Sequence, residues 1–596
     1  MSSNPPKKHS DQIIDWLVDL GFTHCFFVAG GNIMHLLDGV RSRMTCVPVV
    51  HEVAAGIAVE YFNECAVENR AFALVTAGPG VSNIVTAMSG AWLESRELLV
   101  IAGQVKTSDL ASGGIRQRGI QEIDGVGLTQ AISKQTRRLE SPISREEFMG
   151  LVEDGRSGRP GPIFVEVCLD VQAAAPVFSG YQPVQNTVLG DSVKTVDILE
   201  KIRLASENLA QSSRPILLIG GGVSRGLMTD LYSSLVGSGI PVMTTWNGAD
   251  RIDSQHPNYL GRPNTWGQRS ANLILAQADL IIAVGARLGL QQTGFNWQEF
   301  GKNAFIVHVD IDAAELVKGH PRVDLGICCG ADVFMEQLLV GPFGDWQSWV
   351  AYGQSIREVL PLNDPKNETG EGYISPFIFF EEISAIAQAD DILIPCSSGG
   401  ANSAAMQSLV QKRGQYIVTS KGLASMGYGL AGAIGASMAH PRRRTFLFEG
   451  DGGFAQNMQE LATVRVNNLP LKIFIFANNG YASIRMTQKN YFGGAYLGCD
   501  IDTGLGFPDW SKLFESFGIR VTTLDTNWST NSEVLKSINS SEAAAFIIPT
   551  DPLQTYWPKI ASRIVDGGSM ESNPLHLMSP ELDPLTYQSV SKYIRP

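Results

Sequence analysis

Eight cysteines in 596 residues, none in a C-x-x-C pair, are too few and too scattered for a disulfide scaffold or a cysteine zinc site. Cys328 and Cys329 are adjacent and cannot readily bridge each other. No apolar run approaches the ~20 residues that a membrane helix needs. Met1 to Ser10 is polar, with two prolines and no apolar signal-peptide core. Basic charge is also short. Against 59 Asp and Glu stand 46 Lys and Arg, a net charge of -13, which argues against nucleic acid or an anionic membrane as partner. There is no tandem repeat and no low-complexity tract. These absences leave a reduced, globular chain, expected in the cytoplasm, with an ordinary 44% of apolar residues.

What is present is a series of short apolar runs, each ending in glycine or a turn: 72–80, 97–103, 215–222, 279–287, 304–312, 444–452 and 471–480. Each reads as a strand buried on both faces, with longer amphipathic stretches between. That alternation predicts an α/β protein built on parallel sheets, whose ligands bind beyond the carboxyl ends of the strands. Residues 174–192 and 359–376 carry Pro, Gly and Ser without apolar periodicity and read as linkers. The expected domains are 1–180, 190–345 and 370–565. An irregular tail, 566–596, is expected to wrap a partner or cap the active site.

The strongest chemical signal is in the third block. The strand TFLFE runs into Gly450-Asp451-Gly452-Gly453-Phe454, and a helix is expected to follow, with Phe454, Met458 and Leu461 on one face. A second strand, LKIFIFA, ends in Asn478-Asn479-Gly480-Tyr481. Asp451 and Asn478 each sit where a strand ends, and in a strand–helix–strand unit those ends are neighbours. A carboxylate, an amide oxygen and the Gly480 carbonyl are three hard oxygen ligands, a set that suits Mg²⁺ holding a diphosphate. The glycines let backbone approach phosphate, and a helix N-terminus favours the anion. Either motif alone would usually be only a turn; the pair at this spacing is far more specific.

On these motifs the block resembles the cofactor-binding domain of the thiamine-diphosphate enzymes, and residues 10 to 550 resemble the acetolactate synthase group. The resemblance implies three Rossmann-like domains with parallel sheets: pyrimidine-binding, central and diphosphate-binding. It implies Asp451, Asn478 and Gly480 as metal ligands. The stretch Thr419–Gly429 is similar to the segment that props the cofactor in a bent form, with Met426 as the wedge between its rings and the Ala424 carbonyl accepting its amino group. Ser398, Gly399 and Gly400 occupy the other diphosphate-binding position, where family members often carry a His or Gln that this chain lacks.

In the first block, the strand VPVV leads to His51-Glu52, where a helix opens. The cofactor chemistry needs one carboxyl that shares a proton with the pyrimidine ring, and the resemblance places it at Glu52; the plain alternative is a glutamate favouring the helix dipole. Because Glu52 and Asp451 lie in different blocks, their docking needs explaining. In the family they meet across a subunit interface, which implies a homodimer or homotetramer. Three weaker matches are Gly30-Gly31-Asn32 beside the reacting carbon, Thr76, Pro79 and Asn83 along the pyrimidine, and Gln121 facing the substrate.

The middle block places Gly220-Gly221-Gly222, Gly285-Ala286-Arg287 and Asp310-Ile311 after three strands, resembling the places where acetolactate synthases hold FAD, with Arg159 reaching toward it. Related decarboxylases keep this domain without flavin. The resemblance implies decarboxylation of a 2-oxo acid such as pyruvate, and ligation of the two-carbon unit to a carbonyl acceptor. Two departures bear on that acceptor. Gln291 stands where the family has an arginine clamp for a second pyruvate, and Thr487 stands in place of a Trp. The stretch 480–489 and the tail resemble a subgroup linked to surface-polysaccharide sugar synthesis, which implies a keto-sugar nucleotide as acceptor. The alternatives are acetolactate formation, simple decarboxylation, oxidation, and a non-catalytic homologue.

Overall fold

Runs such as FALV and LLVIAGQ carry no polar face to show to water, so they form interior strands of parallel sheets with helices on both sides. The computed structural model describes residues 7–177, 191–564, 568 and 570–594; most of the expected linker at 174–192 and some tail positions lie outside them. The first sheet contains β1 (Phe22–Phe27), β2 (Thr45–Pro48), β3 (Arg70–Val75), β4 (Leu98–Gln104), β5 (Gln135–Leu139) and β6 (Pro162–Cys168) in the order β2-β1-β3-β4-β6-β5. The second orders β7 (Pro215–Ile219), β8 (Val242–Thr244), β9 (Leu280–Val284), β10 (Phe305–Asp310) and β11 (Leu325–Cys328) as β11-β10-β9-β7-β8.

In the third block β12 (Ile392–Pro395) is followed along the chain by the two-residue β13 (Tyr416–Ile417). Then come β14 (Thr445–Gly450), β15 (Leu471–Ala477), β16 (Arg520–Thr523) and β17 (Ala544–Pro549), with the order β12-β14-β15-β17-β16. The pairs in all three sheets are parallel, as expected.

Two compact units partition the chain: residues 1–184, 391–399 and 418–548 in one, and 185–390, 400–417 and 549–596 in the other. The first and third sheets thus share one unit. They are joined by the helix Glu52–Cys65 lying against the helix Tyr428–Ala439. The second helix, YGLAGAIGASMA, is nearly all small residues. A Cβ on Gly435 would sit 1.9 Å from the Ala58 carbonyl oxygen, and one on Gly432 would sit 2.7 Å from the Tyr61 ring. Glycine here is a condition of the docking.

Two expectations need correcting. No single helix follows Gly453. A one-turn helix, Asp451–Phe454, gives way to a 3₁₀ turn, Met458–Glu460, and then the helix Leu461–Val466. The break serves Asn457, whose amide donates to the Gly427 carbonyl at 2.6 Å. The described tail is not irregular throughout. It carries the antiparallel pair β18 (Ser562–Ile564) and β19 (Met570–Ser572) and the helix Pro584–Val590. Leu575, Met578 and Val590 are buried in the apolar core of the second sheet. Arg269 donates to the Met578 carbonyl and Gln277 to that of Val590. No helix among the described residues is long and apolar enough to cross a membrane.

Candidate active site

β14 ends at Gly450 and β15 at Ala477, side by side. Asp451, 1% exposed, turns its carboxylate across this gap. One oxygen accepts from the Gly452 amide at 2.8 Å, the other from the Asn478 and Asn479 amides at 2.9 and 2.8 Å. Burial pushes the Asp451 carboxyl up to about 6, opposed by these amides and that of Gly480. A buried carboxylate in such a place is held ready for a cation.

Asn478 is also buried, and its side-chain oxygen has no hydrogen-bond partner among the described residues. A buried acceptor without a donor is costly, so a ligand that fills it is favoured. Gly480 has a φ of +144°, and a Cβ there would sit 2.0 Å from the Cys499 carbonyl oxygen. Its own carbonyl lies on the Gly452 side of the turn, where a Cβ on Gly452 would collide with the Tyr481 ring. One carboxylate, one unpaired amide oxygen and one carbonyl fit a hard divalent cation carrying phosphate oxygens. The described residues contain no cluster of three His, Cys, Asp or Glu for a metal, so any ion here would rest on this mixed oxygen set.

Loops from neighbouring segments gather beside this turn. Thr419 donates to the Cys396 carbonyl at 2.8 Å, and the Ser397 hydroxyl donates to the Ser425 carbonyl. Ser398 precedes Gly399, where the helix Gly399–Ser408 starts. Gly400 falls in the other unit, where a Cβ would strike the Tyr556 ring, so packing alone explains that glycine. Ala424 adopts φ +53°, unusual for a residue with a Cβ, and Met426 is exposed with the Gln456 amide 3.7 Å from its sulfur.

In the first block, Glu52 opens its helix after the N-cap His51, and the residue is 7% exposed. Asn83 donates to its carboxylate at 3.0 Å, so two of the sequence-selected residues meet. The other selected loops meet as well. A Cβ on Gly30 would lie 2.5 Å from Thr76, and one on Gly78 would lie 2.4 Å from the Gln121 carbonyl oxygen. Gln121 itself has φ +63°, and the space above Gly31 is open. Pro79 starts the helix Pro79–Glu94, and the buried Thr76 hydroxyl has no partner among the described residues. Among the described residues, Glu52 and Asp451 share no hydrogen-bonding partner.

Sequence reasoning missed several supporting residues. Glu460 accepts the Val50 and His51 amides at 3.1 and 3.0 Å, fixing the turn just before Glu52. Arg485 donates to the Asn478 and Asn479 carbonyls at 2.6 and 3.1 Å. Glu460 acts on backbone some 410 residues away, Arg485 on the turn just before its own helix, and no local motif marks either.

In the other unit, Gly220–Gly222 and Gly285 end the adjacent strands β7 and β9. The Gly222 amide donates to the Gly285 carbonyl at 3.0 Å, and a Cβ on Gly220 would lie 2.1 Å from that oxygen. Gly221 and Gly222 are exposed. Ala286 accepts from His308 at 2.8 Å, Arg287 follows it, and Asp310 caps the Asp312 amide before exposed Ile311. A bare backbone crest at strand ends suits a flat dinucleotide. Arg159 lies in the first unit, donating to the Ser95 hydroxyl at 2.8 Å.

Comparison with known proteins agrees with this architecture. Three thiamine pyrophosphate enzyme domains match in order: the N-terminal TPP binding domain over 7–128, the central domain over 202–338 and the C-terminal TPP binding domain over 398–548. The chain is 30% identical to a probable acetolactate synthase large subunit of Methanocaldococcus jannaschii over 92% of both chains. It is 30% identical to the acetolactate synthase large subunit of Pyropia yezoensis, over 88% of this chain and 89% of that one. It is 28% identical to the acetolactate synthase isozyme 2 large subunit of Escherichia coli, over 94% and 97%. With matching domains, parallel sheets and a strand-end cofactor turn, the chain belongs to the thiamine-diphosphate-dependent enzymes, as an acetolactate synthase-like carboligase.

Proposed function

We propose that this enzyme decarboxylates pyruvate and ligates the two-carbon unit to a carbonyl acceptor, as the names of its relatives suggest for acetolactate formation. The observation that carries the proposal is the turn where Asp451 and the unpaired Asn478 oxygen face one gap. Asp451, Asn478 and the Gly480 carbonyl would hold Mg²⁺. Ser398, Gly399, Gly450, Gly452, Gly453 and Tyr481 would border the diphosphate, and Ala424 and Met426 the rings. Bound thiamine diphosphate would supply a carbon nucleophile for the 2-oxo group and a cationic thiazolium ring that takes up the electron pair left when carbon dioxide departs.

Glu52 would hold the proton shared with the pyrimidine nitrogen, and Asn83 keeps that carboxylate aimed. Thr76 and Pro79 would line the same ring, with Gly31 and Gln121 beside the substrate. On the resemblance to a family whose sites form between subunits, we infer a homodimer or larger, each site completed across the interface. The exposed apolar residues Ile115, Ile120, Leu128, Ile484, Phe492 and Leu497, near Gln121 and Gly480 in sequence, suit burial by a second copy. Light scattering tests this, and a monomer carrying full activity would overturn it.

A second reading of the acceptor rests on Gln291. It is exposed on the short helix Leu290–Thr293 and cannot form the bidentate clamp an arginine gives a carboxylate. Thr487, also exposed, bonds its own helix at Ser483. A neutral acceptor such as a keto-sugar nucleotide suits this better. Mass spectrometry of products from pyruvate, alone and with such acceptors, decides. Rapid acetolactate formation from pyruvate alone supports the first reading and defeats the second. FAD is proposed on the crest Gly220–Gly222, Gly285–Arg287 and Asp310–Ile311; Arg159, which the resemblance also implied for it, lies in the first unit. A purified protein without flavin absorbance, even after reconstitution, would reject it. The domain bounds 1–180, 190–345, 370–565 and 566–596 are proposed on the same footing.

A further inference from the structure

The mechanism above leaves a buried ionic cluster of the first unit unused. Glu60 lies two turns beyond Glu52 on the same helix and is fully buried. Arg96, 8% exposed, donates to Glu60 at 2.8 Å, approaches Glu64 at 3.4 Å, and sends its remaining nitrogen to the Thr419 carbonyl at 2.9 Å. The Tyr428 hydroxyl donates to the other Glu60 oxygen at 3.2 Å. Two residues before Arg96, Glu94 accepts the backbone amides of both Lys421 and Gly422. Between Glu94 and Arg96, Ser95 takes a left-handed conformation at φ +57°, and Arg159 holds its hydroxyl.

Segment 419–428 is therefore gripped at Thr419, Lys421, Gly422 and Tyr428 by groups of the first domain of the same chain. Three of these four grips are on backbone. They fix the path of the loop without regard to its side chains, and they flank the strained Ala424 and the exposed Met426. A planar guanidinium reaching a carboxylate and a carbonyl at once is a geometry that lysine cannot reproduce.

We propose that Glu94 and Arg96 are positioning residues that hold loop 419–426 in its cofactor-ready path before thiamine diphosphate arrives. The proposal rests on the reading that this loop cradles the cofactor. A loop already held loses less freedom on binding, so its grips act mainly on cofactor affinity. Arg96 touches neither the reacting atoms nor Glu52.

Removing Arg96 alone would strand the buried Glu60. The test therefore uses the double variant Glu60→Gln/Arg96→Met, which removes both charges, and the single variant Glu94→Ala, whose site is half-buried. Thiamine diphosphate binding with Mg²⁺ is measured by titration calorimetry on the full chain. Amide hydrogen exchange across 419–426 is measured without cofactor. Both variants should bind roughly tenfold or more weakly and exchange faster within that segment. The apparent KM for cofactor should rise while kcat at saturation stays within about twofold, and Arg96→Lys should recover only part of the loss. Unchanged affinity and exchange in Glu94→Ala, with wild type binding normally, would overturn the proposal. Wild-type protein that binds no thiamine diphosphate would instead refute the cofactor reading itself.

Discussion

At the scale of the residue, the site is a matter of which oxygens have partners. Asp451 is already coordinated by amides, while the Asn478 oxygen is not, so a cation gains a prepared carboxylate and an idle acceptor together. Asp451→Ala should weaken thiamine-diphosphate binding by at least about 100-fold, read by calorimetry with Mg²⁺. Glu52→Gln should keep the cofactor bound but lower turnover by about 100-fold or more, since only proton transfer is lost. Full activity in that variant would contradict the relay. Burial lifts the Glu60 carboxyl to about 7 from an ordinary 4.5, against the pull of Arg96 and Tyr428. Between those values the folded chain keeps a proton that the unfolded chain releases. The stabilising contribution is thus full below pH 4.5 and is lost as pH rises through about 7. Melting curves of the cofactor-free protein should show a smaller fall over that range in Glu60→Gln than in wild type. Asp451, Asn478 and Glu52 were legible in sequence because each sits at a strand end beside glycine or a helix start. Glu460, Arg485 and Glu94 were not, because each grips main-chain atoms that any residue could provide, and Arg96 was not, because its grip on the Thr419 carbonyl lies far away in sequence.

At the scale of the element, each apolar run named from the sequence holds a strand, since a run such as LKIFIFA has only one way to hide both faces, whereas β6, β12 and β17 were not among those runs. The helix expected after Gly453 was misread for a physical reason. Its apolar spacing was helical, but two glycines weaken the first turn and Asn457 leaves the helix to bond Gly427. Spacing cannot register a competing bond from another segment. Helix-to-helix docking was hidden as well, although the Gly and Ala content of Tyr428–Ala439 hinted at close approach. Gly435→Ala would push a methyl group into the Ala58 backbone, which has no flexible end to move aside. We expect a loss of about 1–3 kcal/mol, visible as a lower urea midpoint with little change at a control alanine elsewhere on the helix.

At the scale of the whole molecule, the chain visits one unit, builds the other, and returns. The tail belongs to the second unit. Truncation after residue 564 would uncover the pocket that Leu575, Met578 and Val590 fill, at roughly 1.5–3 kcal/mol for each side chain. The truncated protein should melt earlier, with its middle domain the first to lose hydrogen-exchange protection; an unchanged melting temperature would show the tail to be dispensable. The return path also has a consequence in time. The helix Glu52–Cys65 is made early, yet the surface that covers it starts at Tyr428, on the far side of the middle domain. A ribosome adding ~5–20 residues per second leaves the nascent first sheet waiting for some tens of seconds with Ala58 and Tyr61 bare to solvent. Throughout that interval it is a natural client for a chaperone that shields apolar helices.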